Sequence, residues 1–273
     1  MNLLHRSLIL SLMASATLLT AQDLPDVPET ALAAIAKGDL RPAHNEPIPG
    51  VDFSPAPFAA PKKDNGTRSA IYSVGDTPPV LTDFYWGNQG SCVANTNPDG
   101  TITLFHPGAP GLTFNWCVLV KPMPASAQYT IIMGYRGHLF GRASSLATVL
   151  YDTTTGKFVV NSIPGSSDSG AAAIASWKMN SYTSYAGSAY FNYNNAITTG
   201  GVLPQYVRLK SDGTTRTVAV SHSKDGPWLT INAVPAADFV NLNPGGFFGY
   251  ALRGTGDNMA SMMVIYHESV TTP

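Results

Sequence analysis

Residues 205–231 read QYVRLKSDGTTRTVAVSHSKDGPWLTI, and two turn signals inside this stretch decide the fold. Tyr206-Val207-Arg208-Leu209-Lys210 alternates apolar and polar side chains, the two-residue period of a strand with one face in water. Ser211-Asp212-Gly213 supplies a turn, Thr215 to His222 returns, Ser223 to Gly226 turns again, and Trp228-Leu229-Thr230-Ile231 follows. Val207, Leu209, Val218 and Val220 are expected to share the buried face. Arg208, Lys210 and Arg216 are expected in solvent.

The same grammar extends in both directions. Asn97-Pro98-Asp99-Gly100 is a turn, followed by the alternating run Thr101 to Phe105. His106 to Gly111 turns again. Leu112–Val120 and Tyr129–Tyr135 read as strands, and Leu146–Tyr151 with Lys157–Ile163 reads as a hairpin. Phe247–Leu252 and Ala260–Tyr266 close the set. No long amphipathic helix follows residue 80, and no fixed-period repeat is visible. About a dozen strands over about 190 residues predict an all-β, two-sheet antiparallel jelly-roll sandwich.

The chain before residue 80 is different. Residues 1–21 carry His5 and Arg6, then an apolar run to Leu19, and a small-residue site ending at Ala21. They read as a signal peptide, too short to span a bilayer comfortably. The mature chain is expected to be secreted, periplasmic or at the cell surface, with no membrane span. Residues 22–79 hold ten of the 21 prolines. A short helix is expected over Glu29–Lys37, closed by Gly38, and then an extended proline-rich arm or linker. Residues 80–273 form the sandwich domain.

Composition narrows the function. Only 12% of residues are charged and the formal charge is −1, which argues against a nucleic-acid partner. Cys92 and Cys117 are the only cysteines. An oxidising compartment favours a disulfide between them, contributing about 3 kcal/mol in the chain-entropy model. Two buried thiols are the alternative. A bridge requires their strands to be neighbours or to face each other across the sandwich, because the Cα atoms must lie within about 7 Å.

Residues 78–270 resemble a concanavalin A-like lectin/glucanase module, of the subtype seen in phage tail and structural proteins and in bacterial secreted proteins. The resemblance rests on Pro78 to Phe84 with Trp86, Asn88, Gln89 and Gly90 as an opening strand. It continues in Tyr206 to Thr217, Ser223 to Trp228, Phe248-Gly249-Tyr250 and Met262 to Tyr266. It implies the sandwich and leaves activity open, since such folds host lectins, hydrolases, lyases and inert modules.

Chemical motifs are sparse. Glycosidases of that superfamily place two glutamates close together on one strand, and retaining chemistry sets the carboxyls about 5–5.5 Å apart. Here the glutamates are Glu29, Glu46 and Glu268, and only Glu268 falls in the sandwich. His267 and Glu268 are adjacent on a strand and so face opposite sides, reading as decoration of the last strand. Asn95, Asn97 and Asp99 mimic half a calcium loop, but a single carboxylate is a poor hard-cation site and a turn explains them. No metal or cofactor is expected.

The binding candidates are Tyr182, Tyr185, Tyr190, Asn192, Tyr193 and Asn194, where aromatic faces suited to sugar rings alternate with neutral hydrogen-bonding groups. Arg136 and His138 join them as contacts for an anionic sugar. The leading expectation is a non-catalytic protein that binds a glycan or cell-surface polymer. The alternatives are a structural subunit of a fibre, appendage or virion-like assembly that self-associates through residues 22–79, and a polysaccharide-degrading enzyme.

Overall fold

The hairpin of residues 205–231 forms in the computed structural model with the register that the alternation requires. The model describes residues 33, 40–48, 75–108, 116–139, 145–164, 176–183, 190–198, 205–243, 245–253 and 260–273. Of the helix expected over Glu29–Lys37, only Ala33 falls among them. Strands β1 (Arg41–Pro42), β2 (Tyr85–Asn88), β3 (Val93–Thr96), β4 (Ile102–His106) and β5 (Trp116–Pro122) come first. β6 (Gln128–Leu139), β7 (Ser145–Asp152), β8 (Lys157–Pro164), β9 (Ser176–Tyr182) and β10 (Tyr190–Thr198) follow. β11 (Tyr206–Asp212), β12 (Thr215–Ser221), β13 (Leu229–Pro235), β14 (Gly246–Arg253) and β15 (Ser261–Thr271) complete the chain. Among the described residues no helix is long and apolar enough to cross a membrane.

All pairings are antiparallel, and they build two sheets. The eight-stranded sheet has the order β1-β2-β5-β14-β7-β8-β9-β10, and the seven-stranded sheet has the order β13-β12-β11-β6-β15-β4-β3. The fold is therefore the all-β sandwich expected. The opening differs. Val80 to Phe84 is not a strand: Leu81–Asp83 forms a 3₁₀ turn, and pairing starts only at Tyr85. Asp83 N–H and Phe84 N–H donate to the Val80 and Leu81 carbonyls within that turn, so they are unavailable to a ladder.

The core between the sheets follows the two-residue period. Val207, Leu209, Val218 and Val220 are buried in it, together with Ile131, Met133, Leu104, Ile265, Leu119, Phe248 and Tyr250. The eight-stranded sheet also buries its other face. Trp116, Val118, Val120, Ala147, Val149, Phe158, Val160, Phe247 and Ala251 are fully buried there, with Leu40 packed among them. Every residue of β7 is consequently buried. A strand covered on both sides reads as a continuous apolar run rather than an alternating one.

Arg216 corrects the sequence expectation. It lies two residues from Val218 and pairs opposite Ser211, so it shares the inward face and does not point to solvent. Its guanidinium donates to the carbonyls of Ala236, Asp238 and Val240. The Asp238 carbonyl also accepts from Val240 N–H, so the arginine is the donor for the Ala236 and Val240 carbonyls and a second donor for Asp238.

The described parts of the segment read as an arm lie against the sandwich. β1 pairs with β2, Leu40, Ala43 and Ile48 are buried, and Glu46 N–H donates to the Ala94 carbonyl. Asn45 Oδ1 accepts from Thr96 N–H. Residues 40–48 thus run from the edge of one sheet to the β3 edge of the other. Replacing Arg216 by Ala should destabilise the fold by about 2–4 kcal/mol, since it strands buried carbonyls and opens a cavity. Equilibrium urea unfolding measures this, and an unchanged midpoint would contradict the assigned role.

Candidate functional site

The outer face of the seven-stranded sheet is where polar and aromatic side chains converge. Tyr206 and Arg208 of β11, Arg136 of β6 and Tyr266 of β15 alternate with core residues and therefore project outward. A bulge between Ile265 and His267 shifts the pairing of β15 on β6 by one residue. It turns His267 outward beside Tyr266 and sends Glu268 inward. Gly134 lies opposite the bulge. A Cβ there would stand 2.6 Å from the Tyr266 ring and 2.9 Å from His267 Cβ, so the cluster requires glycine at this position.

Tyr206 is the hub. Its ring meets Tyr266 edge-on at 5.7 Å and His267 at 5.8 Å. Its hydroxyl lies 2.9 Å from both carboxylate oxygens of the buried Asp76. His267 Nδ1 accepts the Thr77 N–H at 3.1 Å. Burial holds this imidazole below its ordinary value and prevails over the opposing charge of Asp76, so the ring is neutral near pH 7. Tyr266 donates to the Gln205 carbonyl at 2.7 Å. Burial, then the charge of Tyr206, pushes its phenol well up. Arg136 donates to Gln205 Oε1 and sits over the Tyr266 ring, 5.7 Å from its centroid.

At the rim, the Arg208 guanidinium stacks 4.7 Å over the half-buried Trp228. Its Nε is buried without an acceptor. Burial lowers its affinity for the proton, but an arginine still carries its charge. Lys210, on the same face of β11, is exposed.

Glu268 and Asp83 flank Lys121, at 2.7 Å and 3.6 Å from its Nζ. Glu268 is buried between the sheets, so it is not a surface decoration as the sequence suggested. Burial raises its carboxyl and the Lys121 ammonium opposes that rise. Lys121 thus lies between a buried carboxylate and an exposed one, and Glu268 Oε2 is left without a hydrogen-bond partner among the described residues. Asp99 Oδ1 accepts from Thr101 N–H and Oγ1–H, while Asn95 Nδ2–H donates to the Glu46 carbonyl. Asp99 thus serves the turn, and Asn95 holds residues 40–48 against β3.

The structure separates the sequence candidates. Arg136 belongs to the outer-face cluster. His138 lies on β6 opposite Met262. Tyr182, Tyr190, Asn192, Tyr193 and Asn194 lie on β9 and β10, at the far edge of the other sheet, with Tyr190 paired to Tyr182. Their side chains and that of His138 are outside the description, and Tyr185 is outside it entirely. Tyr206, Arg208, Gln205, Trp228 and Asp76 were not among the candidates. The outward positions of the 206–210 alternation carried the signal for two of them.

Cys92, His106 and Cys117 form a second grouping. They are buried, and one ligand-type atom from each lies within 4.8 Å of the others. Cys92 precedes β3 and Cys117 lies on β5, so they meet across the sandwich, one of the two arrangements a bridge would require. Both are free thiols in this structure.

Comparison with known proteins supports the fold alone. No family model matches the chain, and no curated protein matches it. Among solved structures it is similar to a functionally unknown protein from Saccharomyces cerevisiae. That match has TM-score 0.50 and 12% identity, and covers 71% of this chain and 99% of that one. It is similar to the GH43 protein BlXynB from Bacillus licheniformis, with TM-score 0.50 and 10% identity over 72% of this chain and 38% of that one. The chain thus spans well under half of BlXynB. A carbohydrate binding module, CBM66 from Bacillus subtilis, matches at TM-score 0.42 and 8% identity, over 70% of this chain and 96% of that one.

The neutral, buried His267 gives a pH signature. Its folded-state pKa lies below the unfolded value near 6.5. As pH falls through about 6.5 the unfolded chain takes up the proton first, so stability declines until the folded value is passed. His267→Gln should show a smaller loss of stability than the parent between pH 7.5 and pH 5 in denaturant titrations. Equal losses would rule out this role.

Proposed function

We propose that the protein is an exported, non-catalytic β-sandwich that binds an acidic polysaccharide or a similar anionic cell-surface polymer through the outer face of its seven-stranded sheet. One observation carries this reading. Arg208 stacks on Trp228 at the rim of the outer-face cluster and makes no hydrogen bond or ion pair with any described residue. An unpaired guanidinium beside an aromatic face offers both elements of acidic-sugar recognition, a fork for a carboxylate or sulfate and a flat apolar surface for a ring.

The surroundings agree. Lys210 adds a second exposed cation on the same face. The Asp76 carboxylate is engaged by the Tyr206 hydroxyl, so its charge is not presented to an incoming anion. Lectin-like sandwiches, which the fold resembles, supply a scaffold in which a sheet face can serve as a platform. Export through residues 1–21 belongs to the same proposal, because the polymers concerned lie outside the cell. Assembly through residues 22–79 is less favoured, since residues 40–48 are committed to their own sandwich.

Affinity electrophoresis against paired neutral and acidic polysaccharides tests the proposal. Retardation should appear in gels containing uronate- or sulfate-bearing polymers, and it should weaken as salt rises. Arg208→Ala and Trp228→Ala should each lower affinity about tenfold or more while leaving the thermal midpoint within a few degrees. Retardation by no polymer, or unchanged binding in both variants, would overturn the assignment.

A further inference from the structure

Cys92, His106 and Cys117 are brought together from three places in the chain. Cys92 closes the Gln89–Cys92 turn that leads into β3, where its N–H donates to the Gln89 carbonyl. His106 ends β4, and Cys117 is the second residue of β5. All three are buried, within 4.8 Å of one another. The hydrogen bonds of the imidazole set its chemistry. His106 Nδ1 accepts the Gly108 N–H at 3.0 Å, so the ring proton sits on Nε2, 3.3 Å from Ser91 Oγ. A ring in this tautomer is a donor on its Nε2 side. It suits a thiolate, and it does not suit a metal ion bound through that nitrogen.

The Cys117 sulfur lies beneath a glycine turn. Gly90 and Ser91 are exposed, and Gly90 has φ +56°. A Cβ on Gly90 would stand 3.3 Å from Cys117 Sγ. The exposed Gly90–Ser91 turn therefore packs directly against this buried sulfur, and a side chain at Gly90 would crowd it.

We propose that Cys117 and Cys92 are a dithiol oxidised by hydroperoxides, with Cys117 the nucleophile, Cys92 the resolving thiol and His106 a positioning residue that donates to the Cys117 sulfur. The Cys117 thiolate attacks one peroxide oxygen. An S–O bond forms, the O–O bond breaks, and the leaving oxygen takes up the proton that the thiol released. The Cys92 sulfur then attacks the sulfenic acid. An S–S bond forms, the S–O bond breaks, and the Cys92 proton leaves with the hydroxyl as water. The two thiols lose two electrons and the peroxide gains them. The product is a covalent tie between the two sheets.

The electrostatics fit this division of labour. Burial pushes the Cys117 thiol up, but hydrogen bonds from Cys92 and His106 outweigh burial and bring it below the ordinary thiol range. Burial, its bond to Cys117 and the charge of Glu46 push Cys92 up. Glu46, from residues 40–48, is the other charged group facing the pair, and it accepts from Gln89 Nε2 at 2.6 Å.

The reduced full chain, freed of reductant, is treated with hydrogen peroxide at pH 7, quenched, alkylated and weighed intact. The expected product has lost about 2 Da and takes up no alkylating reagent. Cys92→Ser should stop at a sulfenic acid trapped by dimedone, and Cys117→Ser should show neither product. His106→Phe should slow disulfide formation at pH 7 about tenfold or more, and its rate should recover at higher pH where the thiol ionises unaided. His106→Gln, which keeps an N–H donor, should restore part of the rate. A folded His106→Phe protein that oxidises at the parental rate would overturn the proposal. So would overoxidation of Cys117 without a disulfide, or one tightly bound zinc per reduced chain that protects both thiols.

Discussion

Burial is unequal between the two sheets, and the rest of the molecule follows from that constraint. The eight-stranded sheet is covered on both faces, by the sandwich interior on one side and by packing that includes Leu40 on the other. Its central strands carry buried polar side chains, among them Thr148, Asp152 and Asn161. Among the described residues, the cluster of Tyr206, Arg136, Arg208 and Tyr266 forms on the outer face of the seven-stranded sheet.

Buried charged groups, inside the sandwich and on its outer face, are handled by contact with a partner. Lys121 reaches inward from β5 and holds Glu268, while Asp76 is held by the Tyr206 hydroxyl. Burial raises the Glu268 carboxyl, and the Lys121 ammonium opposes that rise.

Much of the fold was legible because strand periodicity is local. The buried set Val207, Leu209, Val218 and Val220 follows from counting by two. Arg216 was misplaced because its charge was given more weight than its position, although it obeys the same count as Val218. The opening strand was misplaced because Pro78-Pro79 and the turn after them determine the backbone before the apolar residues can. The site was less legible. Trp228 and Arg208 are separated in sequence and meet only once β11, β12 and β13 are laid side by side. Cys92, His106 and Cys117 meet only when two sheets close on each other. Density of aromatics and asparagines pointed to 177–195, a compositional signal that contains no information about which sheet face a strand presents, and those side chains lie outside the description.

The short strand β1 has a consequence for how the protein behaves in company. It occupies the edge of the eight-stranded sheet with two residues, and the second is Pro42, paired with Tyr85. A sheet edge recruits another chain by offering a row of free donors and acceptors. Here the row is short, and one position has no donor because proline lacks an N–H. A neighbouring strand approaching that border finds little to zip onto. At this border the chain thereby carries its own stop against edge-to-edge growth.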